Sequence, residues 1–118
     1  MLNKNELRIG NLVKYHDDDT IFKVVEIDTL GIRVKNKEQE TWIEYDCFSP
    51  INITKDWLIK FGYKFELEWY RYKNEMYIID EDFMIIVDEV NLLKLNHIHQ
   101  LQNFHFSVSE QDLRCVGF

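Results

Sequence analysis

Three of the four histidines lie in one C-terminal stretch, as His97, His99 and His105. Imidazole is the side chain most used for metal ligation and for proton transfer near neutral pH. A zinc centre needs three or four ligands converging at fixed distances, with spacings such as H-E-x-x-H or paired Cys and His. His97 and His105 are eight positions apart and share a helix face, whereas His99 falls on another side. No carboxylate or thiol has the spacing to complete the set, so no metal and no cofactor are expected, and the imidazoles should be solvated or cap a helix. Asp17-Asp18-Asp19 lacks the D-x-D-x-D-G loop and closing Glu of an EF-hand, and reads as a solvated hairpin turn. Asp80-Glu81-Asp82 and Asp88-Glu89 read the same way. There is no G-x-S-x-G and no phosphate-cradling glycine-rich loop, so the chain is not expected to be an enzyme.

What remains is chemistry of recognition. From His97 to Phe106, an apolar stripe at helical spacing lies beside an unusual density of His, Gln and Asn. Such a helix anchors by one face and offers hydrogen-bonding groups on another, which makes His99, Gln100, Gln102 and Asn103 candidate partner-binding residues. Trp69-Tyr70-Arg71-Tyr72-Lys73 mixes aromatic rings with two cations. Strand alternation sends Trp69 inward and exposes Tyr70 and Tyr72, which suit anchoring to a protein partner. The alternative is stacking and phosphate contact with single-stranded RNA or DNA through Tyr70, Arg71, Tyr72 and Lys73. Against it, residues 63–91 carry eight acidic side chains and three basic ones.

Charge bears on the whole chain. With 14 Lys and Arg against 21 Asp and Glu, the 118 residues carry a formal charge of −7, which repels a polyanion and suits a basic protein partner. Cys47 and Cys115 lie far apart without a C-x-x-C and are expected as reduced thiols rather than a disulfide. The N-terminus has no apolar core of signal-peptide length, and the longest apolar run, Phe83 to Val87, is too short to span a bilayer. A cytoplasmic location with no membrane partner is the expectation.

The elements that must position these residues are short. Residues 11–15, 21–27, 32–35 and 41–45 read as strands joined by tight turns, which suggests a small, strongly bent SH3-like β lobe over residues 1–50. Ser49-Pro50 closes it. Residues 51–118 read as a helix–three-strand–helix lobe sharing a core with the first, an α+β arrangement. Thr54 is the N-cap of a short helix carrying Trp57, Leu58 and Phe61, which Gly62 terminates. Tyr63, Phe65, Leu67 and Trp69 should line the buried face of the next strand, followed by strands at 76–79 and 83–87. The last helix should start at Asn96 and run to Ser107, packing Ile98, Leu101, Phe104 and Val108 on the sheet.

Three segments resemble a family of small uncharacterised proteins from Bacteroidota genomes, prophages and phages. They are Leu7-Arg8-Ile9-Gly10-Asn11-Leu12-Val13, Pro50 through Tyr63 with its Thr54, Trp57-Leu58 and Lys60-Phe61-Gly62, and His99-Gln100-Leu101-Gln102-Asn103-Phe104 with Phe106. The chain departs from that pattern in a more acidic middle, Trp69 to Val90, and at Ser109 to Leu113, where the family has Thr-Gly-Glu. The resemblance transfers no catalytic residue. It implies an accessory protein of a mobile element, acting on host machinery in the bacterial cytoplasm; anti-CRISPR inhibitors are one recurrent class of that kind. The expected function is a non-catalytic protein that binds a host protein. In its most concrete form, it inhibits a CRISPR effector nuclease or its ribonucleoprotein, RNA-targeting in one version.

Overall fold

Among the described residues, ten antiparallel strands form two five-stranded sheets with a helix beside the second. A computed structural model describes residues 4–73 and 75–114. The first sheet is built from β1 (Leu12–Tyr15), β2 (Ile21–Ile27), β3 (Gly31–Lys35), β4 (Glu40–Glu44) and β5 (Phe48–Ser49), in the order β4-β3-β2-β1-β5. Alternation dictates its inner face: Val13 faces Phe22, Val24 faces Val34 and Ile32 faces Ile43 across the ladder. Val13, Phe22, Val24, Ile32, Val34 and Phe48 form one buried cluster. A register shift between Val24 and Glu26 places an extra residue in β2, and such bulges curl a sheet. A 3₁₀ turn, Tyr45–Cys47, carries the chain from β4 into β5. The aspartates at 17–19 form the β1–β2 turn, where Asp18 Oδ1 accepts from Thr20 N at 3.0 Å. Cys47 is half-buried; Cys115 lies outside the described residues.

Helix α1 (Lys55–Lys60) follows the sequence signals closely. Thr54 Oγ1 accepts from Trp57 N at 3.3 Å, and Gly62 adopts φ +101° just beyond the end. Leu58 and Phe61 are buried. The second sheet then runs β6 (Lys64–Glu66), β7 (Trp69–Arg71), β8 (Tyr77–Ile79), β9 (Met84–Val87) and β10 (Val90–Lys94), each strand pairing with the next. Five strands replace the three expected, and the reason lies in two turns. Leu67 and Glu68 both take left-handed φ, 54° and 74°, and so do Asp88 and Glu89, 50° and 67°. A pair of left-handed residues makes the two-residue hairpin whose twist suits antiparallel strands, normally written Asn-Gly or Asp-Gly. Neither pair contains glycine, so neither turn is visible in the sequence.

The first of these turns also corrects the inward and outward assignment. Phe65 pairs with Tyr70 and Glu66 with Trp69, so the ladder reverses between them. Tyr63 is buried as expected, but Leu67 is 89% exposed, Trp69 is 37% exposed, and Tyr70 is only 4% exposed.

Helix α2 spans Ile98–Ser109, two residues later than expected, with His97 rather than Asn96 at the N-cap position. Gln100 Oε1 accepts from the backbone N–H of both Asn96 and His97, at 2.8 and 3.0 Å. Ile98 and Leu101 pack into a cluster with Tyr70, Tyr77, Ile79, Ile85 and Leu58, with Phe104 at its margin. Val108, expected inside, is half exposed, and His105 occupies the inward position instead. Leu12 from β1 belongs to this same cluster, so the two sheets share packing.

Gly31 shows how closely the first sheet is built. A Cβ there would lie 2.6 Å from the Ile43 carbonyl oxygen of β4, inside any permitted contact with backbone. Gly31→Ala is expected to lower stability by about 2 kcal/mol through forced displacement of β4. The urea midpoint should fall accordingly, and an unchanged midpoint would contradict the packing described.

Candidate functional site

The polar edge of α2 points into the protein. Gln102 behaves as a one-residue strand: its Oε1 accepts from Leu12 N at 2.9 Å, and its Nε2 donates to the Gly10 carbonyl at 3.2 Å. Asn103 continues the pattern. Its Oδ1 accepts from Asn11 Nδ2 at 2.8 Å and from Arg8 Nε at 3.2 Å, while its Nδ2 donates to the Glu6 carbonyl at 2.7 Å. Arg8 lies over the Phe106 ring at 4.1 Å and pairs with Asp112 at 3.0 Å. On the other flank, Ile98 N donates to the Ile51 carbonyl, and Ile53 N to the Asn96 carbonyl, at 2.9 and 3.0 Å. Residues 6–12 therefore bond to the side of α2, and residues 51–53 to its start. Buried backbone groups must be paired, and side-chain amides here do what a neighbouring strand would otherwise do.

The two inward histidines have different surroundings. His105 Nδ1 lies 2.7 Å from the Tyr77 hydroxyl, which in turn bonds the Tyr63 hydroxyl, so three buried polar side chains form a chain. Burial pushes both tyrosines far above their ordinary range and pushes His105 down. His99, 1% exposed, has no hydrogen-bond partner on either ring nitrogen among the described residues. Glu6 Oε2 stands 3.6 Å from Nε2, too far for a bond, and His97 stacks on the ring at 5.5 Å. Burial also lowers His99, against a smaller opposing pull from Glu6. Among the described residues no three His, Cys, Asp or Glu side chains gather as a metal site would require.

These placements correct the expected contact surface. His99, Gln102 and Tyr70 are buried, because the first two serve the interior of the α2 seam and the third follows the hairpin reversal. Gln100 caps its helix, and Asn103 is engaged by the N-terminal strap. Tyr72 is half-buried between the rings of Tyr63 and His105, at 5.1 and 4.8 Å. Of the proposed nucleic-acid strip, Arg71 and Lys73 remain exposed, while Tyr70 has no free ring face for a base. The imidazoles at 99 and 105 are neither solvated nor capping.

A different surface stands open. On the second sheet, Tyr70, Ile79 and Ile85 face inward toward α1 and α2, which leaves the intervening residues on the outer face. Register lines up Arg71, Ile78, Ile86 and Asn91 across four strands. With Trp69 and Met76 they line a groove of about 480 Å³ that ends against Asp88 and Glu89. Among the described residues, the groove takes its walls from the second sheet and its turns. Sequence reasoning missed it, although Ile78-Ile79 and Met84 to Val87 carried a signal. Strands apolar on both faces belong to sheets covered twice, and the described residues cover one side.

Gln102→Ala should strand the Leu12 N–H and the Gly10 carbonyl, costing roughly 2–3 kcal/mol. Equilibrium urea unfolding measures this, and a loss below half a kilocalorie per mole would show the bridge to be unimportant. Proton linkage gives a second expectation. The fold holds His99 and His105 neutral, while the unfolded chain takes up protons below about 6.5. Their contribution is therefore full above that pH and is lost as pH falls toward the depressed folded values. Urea midpoints should decline from pH 7.5 to 5.5, and His99→Gln should flatten the decline; parallel profiles would contradict the burial assigned to His99.

No protein-family model matches the chain, and neither a curated protein nor a solved structure gives a match.

Proposed function

We propose that the chain is a non-catalytic binding protein that acts through the open face of its second sheet. The observation that carries this reading is the groove over Ile78 and Ile86. It is an apolar strip on a sheet whose opposite side is already filled, rimmed by polar and charged side chains. Exposed apolar surface of that form marks interaction sites. Its most concrete version is an accessory protein of a phage or prophage, working in the host cytoplasm. It docks on a CRISPR effector nuclease or its ribonucleoprotein and blocks it, with an RNA-targeting effector as one version. The acidic charge and the resemblance to phage and prophage proteins favour that setting, since such effectors present basic channels. Among the described residues no helix is long and apolar enough to cross a membrane.

In this reading the first sheet is a small SH3-like barrel that braces the second. Strand order β4-β3-β2-β1-β5 and the 3₁₀ turn entering β5 both support the assignment.

Immobilised full-length chain, incubated with Bacteroidota lysate, should retain a host protein at near-equal stoichiometry, and the purified pair should show suppressed nuclease cleavage. Trp69→Ser should weaken retention by about tenfold, the usual effect of losing an aromatic anchor. A bait that retains no protein above background contradicts the proposal.

A further inference from the structure

We infer that the occupant of the outer groove is a basic amphipathic helix of another protein, laid across the second sheet opposite α2. The inference rests on the reading of the chain as a binding protein and adds the chemistry of what it binds. The floor sets the apolar half of the match, with Ile78 and Ile86 side by side and Trp69 and Met76 flanking them. One end sets the charged half. Asp88 and Glu89 line one end, Arg71 lines the floor beside Ile78, and Glu66 lies beyond the groove as the ladder partner of Trp69. Two acidic groups at the end of an apolar strip, on a chain of formal charge −7, complement a helix whose apolar stripe is bordered by Lys or Arg. Layering supports a helix, since α2 already packs on the inner face and a second one completes the layer the sheet lacks.

The alternatives carry a charge conflict. A second copy would bring another chain of formal charge −7, with the same Asp88 and Glu89, onto this face. A nucleic acid would meet Asp88 and Glu89 directly, with Arg71 the one cation among the described lining residues.

The turns strengthen the case, because the chain places acids where stability favours other residues. Asp88 and Glu89 sit at left-handed φ, the positions where Asn-Gly relieves strain. Asp88→Asn with Glu89→Gly therefore removes both charges while favouring the fold, which separates binding from stability.

The probe is an 18-residue Leu/Lys amphipathic peptide carrying fluorescein, titrated with the full chain and read by anisotropy. A Leu/Glu peptide, a single-stranded RNA oligonucleotide and sedimentation of the chain alone serve as comparisons. Binding of the Leu/Lys peptide alone is expected, with amide shifts confined to β7–β10. The D88N/E89G double variant should bind about tenfold more weakly while its urea midpoint rises, and Ile86→Ser should weaken binding similarly. Trp42→Ser, on the exposed part of β4, should change nothing.

Equal affinity for the Leu/Glu peptide, RNA binding, self-association, or undiminished binding by D88N/E89G and I86S would each overturn the inference. If the host partner retained by the wild-type chain binds those two variants undiminished, the inference falls and the proposed function stands. If no host partner is retained, the proposed function falls and the peptide titration alone decides the inference.

Discussion

The fold depends on the pairing of one helix edge with the strap that precedes the first strand. Backbone entering β1 at Gly10 and Leu12 has no neighbouring strand on its α2 side, so its N–H and C=O would be buried and unpaired there. Gln102 supplies both partners from a single side chain, and Asn103 ties Asn11, Arg8 and the Glu6 carbonyl to the same edge. A buried amide with no partner costs more than a satisfied one contributes, which makes this seam all-or-nothing. Through it the second lobe's helix is fixed to the first sheet, and Leu12 enters the cluster formed by Leu101 and the inner face of the second sheet.

That constraint explains why Gln102 and Asn103, on the polar side of an amphipathic helix, bond to the chain itself. From the sequence, amide side chains outside the apolar stripe read as solvent-facing. Here the width of the buried face is extended by hydrogen bonding rather than by hydrophobicity, and no periodicity of apolar residues reports it. Four strands of the first sheet, by contrast, were legible, since Ile32 and Val34 alternate cleanly and the turns carry ordinary turn residues, whereas the two-residue β5 beside Pro50 was not. Helix α1 was legible to its caps because Thr54 and Gly62 do what their types favour.

The second sheet was legible in content but not in register. Leu67-Glu68 and Asp88-Glu89 turn the chain in left-handed conformation without glycine, against local preference. Tertiary pairing overrode propensity twice, and one such reversal moved Tyr70 inside and Trp69 outside. The candidate site follows from that error of register. Once Tyr70 faces α2, the row Arg71, Ile78, Ile86 and Asn91 must face outward, and apolar residues on both sides of β8 and β9 become a surface with one side unfilled. Local inconsistency of this sort concentrates where a protein meets something else.

The chain thus has an internal seam along α2 and an external face on the second sheet. Backbone hydrogen–deuterium exchange on the full chain, alone and saturated with its host partner, separates the two most directly. The Leu12 amide should already exchange slowly in the free chain and stay unchanged, while new protection gathers over β7 to β10. Protection appearing instead along the polar side of α2 and the residue 6–12 strap, with the second sheet unaltered, would contradict the account.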